Sequence, residues 1–227
     1  MTPVPVITID GAGGTGKGVV SQLIAKKLKW HLLDSGALYR VLALAAQKHN
    51  VSIEIENESA LTVLAEHLDV QFVAVALGEF PRVLLEGEEV TNIIRTEKTG
   101  NSASKVGALP AVRSALLNRQ RAFRQSPGLV TDGRDMGTVV FPDADVKIFL
   151  TASPHVRAQR RHNQLKERGI DVNLSDLVEE LTERDRRDQE RTVAPLKPAM
   201  DAVLVDTDFL TIDEVVEKIL SVVKQKI

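Results

Sequence analysis

Residues 4–28 constrain this chain more than any other stretch. Val4-Pro5-Val6-Ile7-Thr8-Ile9 is short, apolar and rich in β-branched residues, which reads as a buried strand. Asp10-Gly11-Ala12-Gly13-Gly14-Thr15-Gly16-Lys17-Gly18 follows, with five glycines in the eight positions 11–18. Val20, Leu23, Ile24 and Leu28 then recur at helical spacing. A glycine-rich turn between a strand and a helix can bend so that its N–H groups face inward. With the helix N-terminus behind them, those donors form an anion site. In Gly11-x-x-x-x-Gly16-Lys17 the lysine adds a mobile positive charge suited to the β- and γ-phosphates of a nucleotide. The bland alternative is a glycine-rich turn carrying a surface lysine. Placement directly between strand and helix favours the phosphate site. The usual pattern has Ser or Thr after the lysine, where its hydroxyl meets Mg²⁺. Here that residue is Gly18, and the next is Val19, so neither offers a hydroxyl.

The second strand is expected at Trp30-His31-Leu32-Leu33-Asp34, which completes a βαβ unit of a parallel sheet. Similar apolar segments lie at 129–132, 146–150 and 202–205, separated by helical patterns. Ser153-Pro154 reads as an N-cap with proline at the first helical position. Thr211 and Glu214 form a capping box ahead of Val215, Val216, Ile219 and Leu220. Leu174, Leu177, Val178 and Leu181 share one helical face. The expectation is a doubly wound α/β core with a five-stranded parallel sheet flanked by helices. The stretch from Asp34 to Leu129 is too long for one crossover. Helices are expected at 38–49, 57–68, 93–107 and 111–124, and short strands at 70–73 and 82–86. Residues 36–108 therefore read as an insertion containing a small antiparallel sheet, within a core formed by 1–35 and 109–227.

Composition removes several classes of function. The chain has 227 residues and a formal charge of −2, which argues against a protein that coats nucleic acid. It has no cysteine, so disulfides, thiolate metal sites and a Cys nucleophile are excluded. Its longest apolar runs, at 41–46 and 72–77, fall far short of the roughly 20 residues of a membrane helix. Residues 1–9 place no positive charge ahead of an apolar stretch, so no signal peptide is expected. The five His show no pair at i, i+4 and read as structural. No heptad or interface stripe stands out. A cytoplasmic monomer, without membrane or nucleic-acid partners, is the expectation.

The arginines are unevenly placed: 13 of 16 lie between 113 and 191. Arginine grips phosphate with a planar fork that stays charged. Arg119, Arg121, Arg124 and Arg168 read as solvated surface. Thr131-Asp132-Gly133-Arg134-Asp135-Met136-Gly137-Thr138 follows a core strand, at the sheet edge where open α/β folds bind ligands. Asp34-Ser35-Gly36-Ala37-Leu38-Tyr39-Arg40 follows another. It suits a phosphorylated acceptor, or else a helix capped by Ser35 with Tyr39 as packing. Arg157, Arg160 and Arg161 lie together on a helix. Arg184, Asp188 and Arg191 recur at i, i+4 and i+7, either as a site or as an ion-pair ladder of small energetic value.

Together these motifs closely resemble bacterial cytidylate kinases, within the P-loop nucleoside monophosphate kinases. The resemblance rests on the Gly-Lys-Gly loop, on Asp34 to Arg40, on Asp132 to Pro142 and on Arg184-Asp185-x-x-Asp188. It extends from Val6 to the final helix. It implies transfer of the γ-phosphoryl group of ATP to CMP or dCMP, with Mg²⁺ accompanying ATP. It implies an acceptor-binding insertion and a short lid near 155–170. Gly11, Ala12, Gly13, Gly14, Thr15, Gly16, Lys17, Gly18 and Val19 would bind ATP. Lys17, Arg157, Arg160 and Arg161 would stabilise the transferring group. Ser104, Arg113 and Asp135 would read cytosine, and Arg40, Arg134 and Arg191 would grip its phosphate. Asp188 would contact the sugar, with Arg184 and Tyr39 close by, and Ser35, Gly36 and Asp132 would complete the acceptor site. Ala12 replaces a proline common in the family, a change in loop stiffness more than in chemistry. Three rival readings are weighed against it, the first of them within the same class of enzyme. One is a small P-loop kinase for UMP, AMP or shikimate. Another is a nucleotide-sensing switch, which the absence of an Asn-Lys pair disfavours. The third is an RNA-binding module, disfavoured by eight unclustered aromatics.

Overall fold

The computed structural model describes residues 4–73, 80–167 and 169–227. The chain opens with β1 (Val6–Gly11), α1 (Lys17–Leu28), β2 (His31–Asp34) and α2 (Ser35–Lys48). A 3-10 turn at Ile55–Asn57 leads into α3 (Glu58–Glu66) and the strands β3 (Val70–Val73), β4 (Arg82–Leu85) and β5 (Glu88–Glu89). A second 3-10 turn, Ile93–Arg95, precedes α4 (Glu97–Val106) and α5 (Pro110–Arg121). Then come β6 (Leu129–Gly133), a π-helical turn at Met136–Val140, β7 (Val146–Thr151), α6 (Pro154–Glu167), α7 (Leu174–Glu190), β8 (Val203–Asp206) and α8 (Ile212–Lys226).

The five long-range strands form one parallel sheet in the order β2-β6-β1-β7-β8. β1 lies at its centre, with Ile9 opposite Asp132 of β6 and Ile148 of β7. All six of its residues are buried. Their alternation divides the core, as a period of two requires. Ile7 and Ile9 pack with Val20, Ile24, Val215 and Ile219 under α1 and α8. Val6 joins the opposite cluster, with Leu33, Leu38, Leu42, Leu61, Leu85, Ile94 and Leu129. The elements between α2 and α4 thus share one apolar cluster with strands β1, β2 and β6. The expected face of α7 packs against α6 through Leu177, Leu181, Ala158 and Leu165. The small sheet is antiparallel, in the order β3-β4-β5.

Local chemistry moves several expected boundaries. β4 stops at Leu85, because Glu86 (φ 52°) and Gly87 (φ 78°) turn the chain into β5. The expected helix 93–107 is broken at Thr96, whose hydroxyl caps α4 by accepting from Thr99 N at 3.3 Å. Asp34, not Ser35, caps α2, its Oδ1 accepting from Ala37 N at 3.1 Å. The capping box at Thr211 and Glu214 is present. α7 ends at Glu190, so Arg191 leaves the helical face of Arg184 and Asp188 and is extended (φ −60°, ψ 139°). Among the described residues, no helix is long and apolar enough to cross a membrane.

Gly11 closes β1 against β7. Its φ of 153° and the Leu150 carbonyl oxygen, 2.4 Å from where a Cβ would stand, leave no room for a side chain. Overpacking of this kind costs about 1–3 kcal/mol, with backbone strain added. Gly11→Ala is expected to lower the thermal unfolding midpoint by roughly 4–10 °C. An unchanged midpoint in a melting scan contradicts this account of the position.

Candidate active site

The ends of β1, β2 and β6 run out together, since Asp34 pairs with Asp132 and Asp10 with Gly133 in the sheet. The loops that follow them wall a cavity of about 820 Å³. Gly13, Gly14, Gly16, Lys17, Gly18 and Val19 enter it from the glycine loop. Ser35, Gly36, Tyr39 and Arg40 come from α2, Ser104 from α4 and Arg113 from α5. Asp132, Arg134 and Asp135 come from β6 and the turn after it. Arg160 and Arg161 are on α6, and Arg184, Asp188 and Arg191 are on or just beyond α7. Four residues expected at the site do not line this cavity. Gly11 closes the sheet. The Ala12 carbonyl accepts from Lys17 Nζ at 3.1 Å and from Thr15 Oγ1 at 3.1 Å, so Thr15 is spent on the loop itself. Arg157 is 2% exposed, bonds the back of the loop and does not face the cavity in this arrangement.

The loop takes its shape from left-handed backbone at Gly14 (φ 82°) and Gly16 (φ 89°), the latter capping α1. Lys17 begins that helix and is half-buried in positive company. Burial, then the charge of Arg134, lowers its pKa to about 7. Arg184 is lowered to about 10 by burial and by the charges of Arg134 and Arg40. The guanidiniums of Arg40 and Arg184 both approach Gly100 on α4, lying 3.2 and 3.1 Å from where its Cβ would stand. Lys17, Arg40, Arg134 and Arg184 thus crowd one desolvated region. Such crowding favours a multiply charged anion among them.

A polar cluster adjoins these cations through Arg134. Arg113 pairs with Asp135 and donates to the Gly107 carbonyl at 3.0 Å, with its guanidinium 5.4 Å from the Tyr39 ring centre. Asp188 accepts from Ser104 Oγ at 2.9 Å and from Arg134 Nε at 2.8 Å. Burial pushes Asp188 up, but Arg134 and Arg184 outweigh it and hold the carboxyl below its ordinary value. Arg191 Nη2 lies 3.8 Å from Asp135 Oδ1, so Arg113 and Arg191 share that carboxylate. Ser35 faces differently from expectation: its hydroxyl donates to Gln120 Oε1 at 2.7 Å within the protein. Arg160 donates to the Thr207 carbonyl and hydroxyl, and Arg161 pairs with Glu97 at 2.5 Å. Arg168 lies outside the described residues.

Asp10 supports the site from behind and was not among the residues expected there. It stands at the end of β1, and its two carboxylate oxygens accept from Met136 N at 2.9 Å and Gly137 N at 2.8 Å. It therefore ties the glycine loop to the turn bearing Arg134 and Asp135. The signal was an acidic residue at the mouth of an otherwise apolar strand.

Comparison with known proteins agrees with this geometry. The family model described as cytidylate kinase matches residues 7–225. The chain belongs to the cytidylate kinase family. A cytidylate kinase from Stutzerimonas stutzeri (strain A1501) is 62% identical over 99% of this chain and 97% of its own length. One from Shewanella denitrificans is 60% identical, covering 98% and 97%. Among solved structures, an uncharacterised protein from Eubacterium ventriosum shares the fold, with a TM-score of 0.52 at 9% identity over 98% of this chain and 99% of its own. The family is thus a full-length match, and the five-stranded parallel sheet with its small antiparallel companion is the architecture the sequence pattern predicts.

Asp10 gives the site a pH signature. Burial raises its pKa from 3.8 to about 6, against the lowering effect of the two N–H donors. A raised folded-state pKa stabilises the fold fully below the unfolded value and loses that contribution as pH climbs through the folded one. The wild type should therefore lose up to about 3 kcal/mol from this group between pH 4 and pH 6. Asp10→Asn should have a flatter stability profile there. Urea titrations at stepped pH test this, and parallel profiles for the two proteins would count against it.

Proposed function

We propose that this protein transfers the γ-phosphoryl group of ATP to CMP or dCMP, giving ADP and CDP or dCDP. The observation that carries the reading is one cavity lined by the glycine loop and by a concentration of cations. Lys17 meets Arg40, Arg134 and Arg184 there, enough positive charge for the phosphates of a donor and an acceptor. A base-reading pair, Arg113 and Asp135, lies beyond them. In this reading residues 36–108 form the acceptor-binding insertion and residues near 155–170 the lid, around a core of 1–35 and 109–227. The protein works as a cytoplasmic monomer.

The acceptor is a phosphate oxygen that is already ionised near neutral pH, so no general base is required. Catalysis then rests on positioning and charge neutralisation. Arg40, Arg134 and Arg191 hold the acceptor phosphate in line, and Lys17 meets the transferring group. Arg160 and Arg161 join it after exchanging Thr207 and Glu97 for phosphate. Holding two reactants in attack geometry can supply roughly 7–11 kcal/mol of the barrier. Closing the site matters because water would otherwise accept the phosphoryl group. Asp188 contacts the sugar, and Ser104 steadies it.

Mg²⁺ accompanies ATP in this chemistry and neutralises phosphate charge. The residues present suit it modestly. Asp132 is buried with Oδ1 lacking a hydrogen-bond partner among the described residues. Burial and the charge of Asp34 raise its pKa to about 8, an effect that a nearby dication reverses. Asp132 and Asp34 would hold the ion together with ATP oxygens and water. Among the described residues no group of three or more His, Cys, Asp or Glu could hold a metal alone. Val19 is 41% exposed beside the cavity, so threonine fits its place. Val19→Thr is expected to leave the Mg²⁺ optimum unchanged in an ADP-release titration. A clear shift to lower Mg²⁺ would assign a role to the missing hydroxyl.

Base choice follows from donor patterns. Cytosine offers an amino donor to Asp135 and acceptors to Arg113, whereas uracil reverses the pattern at positions 3 and 4. A lost charged hydrogen bond costs about 1.5–3 kcal/mol. Asp135→Asn should therefore lower the CMP-over-UMP preference in kcat/KM by roughly ten- to a hundredfold. An ADP-release assay across CMP, dCMP, UMP and AMP tests both the variant and the assignment. An intact preference removes Asp135 from base reading. Absence of CMP turnover by the wild type overturns the function.

A further inference from the structure

Arg157 sits behind the site rather than in it, and every arm of its guanidinium is engaged. Nη1 donates to the Gly13 carbonyl at 2.9 Å, Nε to the Ala152 carbonyl at 3.0 Å, and Nη2 to Asp185 Oδ2 at 2.5 Å. Its Cβ would lie 3.0 Å from a Cβ at Gly14, so α6 presses directly on the glycine loop. Asp185 is on α7, between Arg184 and the turn bearing Asp188. One buried side chain therefore joins the loop that receives the donor phosphates to the helix that carries two acceptor-facing residues. Among the described residues no other α6 side chain bonds both elements: Arg160 turns to Thr207 and Arg161 to Glu97.

We propose that Arg157 is a positioning residue that sets the distance between the glycine loop and α7, and with it the approach of donor to acceptor. The proposal rests on the kinase reading above. Its logic is geometric. Arg157 holds the glycine loop through the Gly13 carbonyl. The same guanidinium fixes α7 through Asp185, so movement of either element strains the other. A lysine cannot reproduce this, because an ammonium lacks the rigid fork that serves three acceptors at once. Each half-site keeps its own ligands when the strut is cut. Lys17 and the loop remain for ATP, and Arg184 and Asp188 remain for the acceptor. Cutting the strut should then slow transfer without loosening either substrate.

The test compares wild type, Arg157→Lys and Asp185→Asn. Calorimetry with ADP and with CMP gives affinity and the number of competent sites, and initial rates give kcat per competent site. Arg157→Lys is expected to lose at least a hundredfold in kcat per site, with both dissociation constants within threefold of wild type. Asp185→Asn, which keeps its volume and one acceptor oxygen, should lose about tenfold on the same pattern. Thermal melting reports folding in parallel. A merely structural role would reduce competent sites and leave kcat per site unchanged, which overturns the proposal. Wild-type kcat per site in either folded variant also overturns it. Should Arg157→Lys not fold, Asp185→Asn decides alone. An inactive wild type would instead indict the kinase reading.

Discussion

Positive charge buried in excess at one edge of a parallel sheet is the constraint from which the rest of this structure follows. Lys17, Arg40, Arg134 and Arg184 share one half-buried region, and burial together with neighbouring positive charge lowers Lys17 and Arg184. Such a cluster persists only where the surrounding scaffold holds it. Four elements do so, since the cations arise from α1, α2, the turn after β6 and α7. No single helix could place them. The sheet does, by ending β1, β2 and β6 in register so that their loops converge.

The carboxylates are partitioned to match. Asp188 lies between Arg134 and Ser104 and is held ionised, while Asp10 and Asp132 face few cations relative to their burial and are pushed up. Asp10 does not meet the cavity at all. It anchors the turn after β6 through two backbone donors, as Arg157 anchors the loop after β1 through a backbone acceptor. The two loops that face the ligands are thus held from behind by groups of opposite charge. Rigidity is supplied on the hidden side, and the exposed side stays available to substrate.

What the sequence revealed follows the range of the interactions involved. Val4 to Lys17 was legible because strand, turn and helix are written in adjacent residues, and the capping box at Thr211 and Glu214 likewise. Leu177 and Leu181 announced their face by helical period. Thr96 hid a helix break inside an otherwise helical pattern, because a single hydroxyl decides it. Arg191 was placed on a helix that ends one residue earlier, since spacing alone carries no signal that the helix stops. Arg157 was grouped with Arg160 and Arg161 because neighbours in sequence look alike. Their partners, Gly13 and Asp185, Thr207, and Glu97, come from distant segments that only the fold assembles.

The same distinction explains why the net charge misleads. A total of −2 describes the whole surface, whereas binding depends on which charges are desolvated and together. Exposed pairs such as Arg186 with Glu183 and Glu190 neutralise one another in water and contribute little. The buried set cannot screen itself in this way, so each added anion of the right shape is worth far more there than at the surface. A nearly neutral chain can therefore present a concentrated positive pocket.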